Sequence, residues 1–202
     1  MNTTTASTGQ PLLGPSDEPP VWPITVAMYT EMVYAGILRK EDRVYLGKGR
    51  LAPLRPKHRP HCLAVQKTYN ALLRLAFAGY TPEQESPMAF RLGPSALEPD
   101  VKVIRGRSED YQRDYPTTAD VPLVIEVSET TLGDDRKLAF SYAAEGIPIS
   151  WLVNLPGNRI EVFSEPAAGA YTRCMPYDRG ESVPVVLDGT EVGRLAVDEI
   201  LP

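Results

Sequence analysis

The chain has 202 residues, of which 43% are hydrophobic and 23% are charged, and its formal net charge at pH 7 is −5. This length and composition are typical of one globular domain with an apolar core. An acidic chain has no general attraction to nucleic acid, which counts against a protein that coats DNA without regard to sequence. An enzyme that meets a phosphodiester through a metal ion and a local basic patch is compatible with these numbers.

No apolar run approaches the roughly 18 residues that a membrane helix needs, and the N-terminus lacks the pattern of a signal sequence. We therefore expect no membrane association and a location in the reducing cytoplasm. The two cysteines have no metal-ligand spacing. Cys62 falls in a helical pattern and Cys174 in a predicted strand, so both thiols are predicted to be buried.

The first 23 residues differ from the rest of the chain. Residues 1–23 are rich in Thr, Ser, Gly and Pro and have little to bury, which predicts a disordered or loosely attached arm. Residues 24–202 are predicted to form a single domain. It begins with a helix over residues 24–38, in which Thr25 is placed to cap the N-terminus and Gly36 to end the helix.

A β-hairpin, a basic loop and a long helix follow. Residues 43–46 and 50–54 are predicted to pair around Gly-Lys-Gly. Residues 55–60 are basic and contain two prolines, which indicates a loop. From 61 to 78, apolar residues recur at i, i+3 and i+4, which predicts an amphipathic helix ending at Gly79.

The rest of the chain alternates short strands with one more helix. The predicted strands are residues 80–85, 88–92, 101–104, 121–128, 150–154 and 159–163, with weaker signals at 171–174, 183–187 and 192–195. The predicted helix spans residues 134–145. Residues 106–119 are polar and are predicted to form a mobile excursion near the site. This order suits an α/β sandwich with a mixed sheet.

One strand carries a carboxylate inside an apolar run. Residues 121–128 are rich in β-branched side chains, the pattern of a strand buried on both faces, and Glu126 interrupts them. Side chains alternate along a strand, so Glu126 shares a face with Ser128, and Asp100 shares a face with Lys102. If the two strands are neighbours, Asp100 and Glu126 converge at one end of the sheet.

Two convergent carboxylates suit Mg²⁺, a hard ion that also keeps waters and takes phosphate oxygens as ligands. A nearby lysine could orient the attacking water or neutralise the transition state. Lys137 is the first candidate and Lys102 the second. A purely structural interpretation is also open, in which Asp100 caps a turn and Glu126 is ion-paired with Arg136 or Lys137.

Four segments together resemble the Uma-type family of restriction endonucleases, which belongs to the PD-(D/E)XK nuclease superfamily. They are EPDVKV (98–103), PLVIEVSETTL (122–132), DDRKLAFSYAAEGIPISWLVNL (134–155) and RIEVF (159–163). The resemblance extends over residues 43–201. It implies an α/β, restriction-endonuclease-like core, in which helices flank a mixed central β-sheet, with an N-terminal β-hairpin and extra C-terminal strands.

The resemblance assigns Asp100 to the PD element and Glu126 to the acidic position of the (D/E)XK element. The lysine position of that element falls on Ser128, and the following helix is expected to supply Lys137 instead. His61 matches a histidine that commonly opens the first core helix, although a histidine bonded only to backbone would also suit that place. The further accessory candidates are Glu85, Lys102, Ser128 and Tyr142.

The resemblance thus implies a Mg²⁺-dependent endonuclease, with Mn²⁺ as a second possible ion, that cleaves DNA with a metal-bound water and acts as a homodimer. Tyr45 and Arg50 stand where family members usually carry acids. The alternative is therefore a catalytically weak or inactive binding or assembly module, in which Arg50 reaches into the cleft in place of the cation. The candidate nucleic-acid contacts, which could equally be a solvated surface, are Lys48, Arg50, Arg55, Lys57 and Arg59.

Overall fold

The computed structural model describes residues 21–75 and 77–202, so most of the predicted N-terminal arm lies outside the described residues. The helices are α1 (Val26–Tyr34), α2 (Arg59–Leu75), α3 (Leu132–Ala144) and α4 (Val197–Ile200). The strands are β1 (Val44–Gly47), β2 (Arg50–Pro53), β3 (Tyr80–Gln84), β4 (Met88–Ala89), β5 (Ala96–Leu97), β6 (Val101–Arg105), β7 (Leu123–Ser128), β8 (Ile149–Asn154), β9 (Arg159–Ala167), β10 (Ala170–Asp178), β11 (Ser182–Leu187) and β12 (Thr190–Ala196). Short 3₁₀ turns occupy Lys40–Asp42, Ser108–Tyr111 and Thr118–Asp120.

A six-stranded mixed sheet organises the fold. Its order is β10-β9-β8-β7-β6-β3, in which β7 and β8 pair in parallel and the other neighbours are antiparallel. Parallel neighbours need a crossover connection, and α3 supplies it. The predicted mixed sheet flanked by helices is therefore confirmed.

A smaller four-stranded sheet, in the order β2-β1-β5-β4, contains the predicted N-terminal hairpin. The segments 80–85 and 88–92, predicted as two short joined strands, enter different sheets: β3 lies at the edge of the large sheet and β4 in the small one. The C-terminal strands are longer than predicted, and β11 and β12 form a separate two-stranded ribbon.

The two faces of β7 pack against different clusters of side chains. Leu123, Ile125 and Val127 belong to a large core that also contains residues of α2. Val124 packs on the other face, in a smaller cluster with Tyr142 of α3. The predicted alternation along this strand is therefore correct, and it places Glu126 on the α3 side.

The helix boundaries follow local chemistry. The Thr25 hydroxyl accepts the Met28 N–H at 3.1 Å, which confirms the predicted cap of α1. In α2, the buried side chains begin at Ala64 and continue on one face to Leu72. Among the described residues, no helix combines the length and apolarity needed to cross a membrane.

The prediction that both cysteines are buried is wrong, since Cys62 and Cys174 are exposed. Cys62 lies in the first turn of α2, before the buried face of that helix begins. Cys174 lies on β10, an edge strand of the large sheet whose central residues are uncovered.

Candidate active site

The structure brings Asp100 and Glu126 together at one end of the β6–β7 pair. Val101 lies opposite Ile125 in the antiparallel register, which sets the preceding Asp100 opposite the following Glu126. The Asp100 N–H donates to Glu126 Oε2 at 3.4 Å, and the Val127 N–H donates to Asp100 Oδ2 at 2.8 Å. The backbone of the two strands thus positions both carboxylates.

Two side chains contact the buried Asp100 carboxylate. His61 Nε2 lies 3.0 Å from Oδ2, and the Lys57 ammonium donates to Oδ1 at 2.7 Å. Burial raises the pKa of Asp100, but the hydrogen bond from His61 and the charge of Lys57 outweigh it and hold that pKa below its usual value. Asp100 is therefore ionised at neutral pH.

His61 contacts the Asp100 carboxylate directly. It is therefore not bonded only to backbone, as the alternative interpretation of this histidine required. Its ring is mostly buried, and its Nδ1 has no hydrogen-bond partner among the described residues. Since Nε2 is the nitrogen that faces Asp100, the tautomer protonated there makes the stronger contact. His61, which the resemblance had pointed to, thus lies against Asp100.

Glu126 lies in a different electrostatic environment. Burial raises the pKa of Glu126 well above its usual value, and the negative charge of Asp100 raises it further. The Tyr142 hydroxyl donates to Glu126 Oε1 at 2.5 Å, which partly opposes this effect. The two carboxylates therefore form a like-charge pair in which Asp100 keeps the charge and Glu126 holds a proton more readily.

Lys57 lies at the site itself. Its ammonium is 2.7 Å from Asp100 Oδ1 and 2.7 Å from Glu85 Oε1, and so bridges two carboxylates. Burial lowers the pKa of Lys57, but the charge of Asp100 and the hydrogen bonds to both carboxylates outweigh it and raise that pKa. Sequence reasoning selected Lys57 only as a nucleic-acid contact and Glu85 only as an accessory acid.

The other predicted lysines do not join the carboxylates. The Lys137 side chain is 78% exposed, and its ammonium donates to Asp134 one turn earlier in α3, at 3.2 Å. The Lys102 ammonium is buried and bonds to Glu83 at 2.9 Å and to the Ser86 carbonyl at 2.8 Å. Burial lowers the pKa of Lys102, and its contacts indicate a structural ion pair.

Ser128, at the nominal lysine position of the motif, is fully buried. Its hydroxyl has no hydrogen-bond partner among residues 21–75 and 77–202. The nominal position therefore supplies no cationic group to the site.

A cleft of about 810 Å³ opens over the carboxylates, and Asp100, Glu126 and Glu85 line it. Cationic side chains line the same cleft, namely Arg39, Lys40, Arg43, Arg55 and Lys57. Arg55 and Lys57 were predicted as nucleic-acid contacts. Lys48, Arg50 and Arg59, predicted with them, are exposed and do not line the cleft.

Arg39, Lys40 and Arg43 were missed because two acids lie between them in the run RKEDR, which has little net charge as a sequence. The 3₁₀ turn and the left-handed conformation of Arg43 (φ +49°) place the three cations at the cleft. Arg50, whose entry into the cleft would favour an inactive module, lies at the turn end of the hairpin, opposite Gly47.

The donor set suits a hard divalent cation. No group of three or more His, Cys, Asp or Glu side chains within the described part of the chain is arranged to hold a metal. Mg²⁺, however, is commonly bound by one or two carboxylates, with water and substrate phosphate oxygens as the other ligands. Asp100 and Glu126 supply that pair, and a cation would relieve the repulsion between them. These residues therefore fit Mg²⁺ or Mn²⁺.

An open mixed sheet with a carboxylate pair at the end of two adjacent strands, facing a partly basic cleft, defines the class as nuclease-like. Residues 27–197 match the family model of Uma2, described as "Putative restriction endonuclease". The chain belongs to this family, as the resemblance predicted, and membership supports a nuclease-like function. No curated protein matches the chain.

A solved structure agrees with this assignment at the level of the fold. The chain is similar to the crystal structure of a "putative nuclease belonging to DUF820" from Anabaena variabilis, with a TM-score of 0.65 and 14% sequence identity. The match covers 88% of this chain and 97% of that chain. The predicted restriction-endonuclease-like fold is therefore confirmed.

Proposed function

We propose that this protein is an endonuclease that hydrolyses DNA phosphodiester bonds with a divalent cation, Mg²⁺ or Mn²⁺, held by Asp100 and Glu126. The observation that carries the proposal is that these two acidic residues lie side by side on adjacent strands, at one cleft, in a chain of a nuclease-like family. The cation, when bound, supplies acidity to a water molecule and charge that stabilises the transition state at phosphorus.

The chain's own groups orient the two ligands. The Val127 N–H and His61 both contact Oδ2 of Asp100, which fixes the rotation of that carboxylate. The Tyr142 hydroxyl holds one oxygen of Glu126, so the other stays directed towards Asp100. Such support keeps ligands in place before the substrate arrives. Lys137 as the water-positioning lysine stays a prediction, and it requires the Lys137–Asp134 contact to open.

The cations of the cleft are proposed to bind the DNA backbone. The chain is acidic overall, so contact with phosphates must come from a local group of positive charges. Arg39, Lys40, Arg43 and Arg55 line the same cleft as the carboxylates, so a strand bound to them passes the reactive site. For each phosphate contact that is removed, the slope of log K against log [salt] should become shallower by roughly one unit.

A non-catalytic binding module is the second candidate, because Tyr45 lines the cleft where family members usually carry an acid. In the binding-module alternative, the cleft binds DNA through the same cations, but divalent ions do not affect the binding and the DNA is not cleaved. The homodimer and the cytoplasmic location predicted from the sequence are further parts of the proposal, and DNA binding does not depend on either.

The test is a nuclease assay on plasmid and single-stranded DNA with Mg²⁺ or Mn²⁺, comparing the wild type with Asp100→Ala and Glu126→Ala. We expect cleavage by the wild type and at least a 100-fold lower rate in each variant. Lys48→Ala, on the hairpin outside the cleft, is the control and should cut as the wild type does. Cleavage that survives both carboxylate substitutions would refute the assignment, and metal-independent DNA binding without cleavage would favour the binding module.

A further inference from the structure

The two oxygens of the Asp100 carboxylate are used differently. Oδ2 faces the Val127 N–H at 2.8 Å and His61 Nε2 at 3.0 Å, so two groups of the chain already hold it. Oδ1 faces the ammonium of Lys57 at 2.7 Å. Oδ1 is thus the oxygen that remains for an external cation, and an internal cation lies against it.

Glu85 gives this ammonium a second anchor. Its Oε1 lies 2.7 Å from Lys57 Nζ, and its backbone adopts a left-handed conformation (φ +47°) that is uncommon for a residue other than glycine. The Glu85 N–H donates to the Asp100 carbonyl at 3.1 Å, which ties this turn to the start of β6. The ammonium can therefore keep one carboxylate partner if it loses the other.

We propose that Lys57 is an internal counter-ion that occupies the cation position on Asp100 and that a divalent metal ion must displace. The inference rests on the proposed function, since it takes Asp100 as a metal ligand. A carboxylate oxygen cannot make a short contact with an ammonium and a metal ion from the same side, so the two cations compete for Oδ1. On displacement, Lys57 stays paired with Glu85 in the cleft.

The competition gives the protein a definite behaviour. Without metal, the ammonium neutralises Asp100, whose side chain is only 7% exposed and would otherwise be a buried unpaired charge. Metal binding loses this contact, so the free protein binds divalent ions more weakly than the carboxylate pair alone would. The inactive-module hypothesis placed the side chain of Arg50 in the cleft in place of a metal ion. A side-chain cation does lie there, but it belongs to Lys57, and a metal ion can displace it.

Calorimetric titration of the DNA-free protein with Mn²⁺ tests this. Lys57→Met keeps the unbranched apolar stem and removes the charge, and it should bind Mn²⁺ about tenfold more tightly, equivalent to about 1.4 kcal/mol. Lys57→Arg keeps the charge and should bind no more tightly than the wild type. Lys40→Met removes the same charge from the same cleft without touching Asp100, and its affinity should change less than threefold.

A second measurement uses the wild type and so does not depend on the variants folding. The reactivity of the Lys57 amine towards an acylating reagent, followed by mass spectrometry of the digested protein, should rise at saturating Mn²⁺ because the contact with Asp100 is lost. Unchanged Mn²⁺ affinity in Lys57→Met, or unchanged Lys57 reactivity with Mn²⁺ bound, overturns this inference and leaves the proposed function standing. Absence of Mn²⁺ binding in every folded form overturns both.

Discussion

Replacing Glu126 by glutamine is expected to stabilise the metal-free protein while removing one of its two proposed metal ligands. The pKa of Glu126 is raised by burial and by the charge of Asp100, so the folded protein resists ionisation of this group. Glutamine stays neutral and keeps an oxygen that can accept from Tyr142. The native sequence thus keeps an acid where a neutral group would make the metal-free fold more stable, as is common at functional sites.

The magnitude follows from proton linkage. The unfolded chain releases the Glu126 proton near pH 4.3, whereas the folded chain, whose pKa is raised, retains it to higher pH. Stability linked to this proton is therefore fully present below about pH 4.3 and is lost as the pH rises towards the folded-state pKa. The loss has a limiting slope of about 1.4 kcal/mol per pH unit. Glu126→Gln removes it, so its advantage over the wild type should grow with that slope.

The assay is urea unfolding of wild type and Glu126→Gln in chelator from pH 4 to pH 8. Glu145→Gln is the matched control, because Glu145 is a buried glutamate that accepts hydrogen bonds from the Arg91 and Leu92 N–H groups and the Thr118 hydroxyl. Loss of an acceptor oxygen in Glu145→Gln should lower the free energy of unfolding by about 1–3 kcal/mol. A difference between wild type and Glu126→Gln that is constant with pH, or a Glu126→Gln protein less stable at pH 7, would refute the reasoning.

Three further predictions concern residues outside the carboxylate pair. Lys102→Met should lower the free energy of unfolding by about 3 kcal/mol, because it leaves the mostly buried Glu83 without its ammonium, yet Mn²⁺ affinity should not change. Gly49→Ala should cost more than about 1 kcal/mol in chemical denaturation, since φ is +75° and a new Cβ would lie 2.7 Å from Pro23 Cβ. Cys174 should react with iodoacetamide in the native protein at neutral pH, but more slowly than free cysteine, because partial burial raises the pKa of its thiol. Complete protection of Cys174 would contradict its exposed position.

The part of the site that the sequence predicts depends on local periodicity. Alternation in β7 identifies the face of Glu126, and the preceding strand signal identifies Asp100 as its partner. Both predictions follow from the two-residue repeat of side chains along a strand, which holds in every strand whatever its surroundings. The resemblance added His61, because its place at the start of a helix is a feature of the linear sequence.

The lysine could not be found in the same way. Lys57 lies in a proline-containing loop without periodicity, and its approach to Asp100 depends on how α2 packs beside β6. Lys137 has the expected place in the sequence, but Asp134 three residues earlier on the same helix holds its ammonium. Tertiary packing and competing charges decide which of several lysines contacts a carboxylate. Neither of them leaves a periodic pattern in the sequence.

The contacts that build the carboxylate site all span long stretches of chain. Asp100 and Glu126 are 26 residues apart, whereas His61 and Lys57 lie 39 and 43 residues before Asp100. None of these contacts can persist until α2, the loop before it, β6 and β7 have assembled, since closing such loops costs entropy. Nascent chains on the ribosome and proteolytic fragments that lack α2 or β7 therefore cannot make these contacts. Under the proposed function, DNA cleavage is therefore expected only from chains whose folding has brought these residues together.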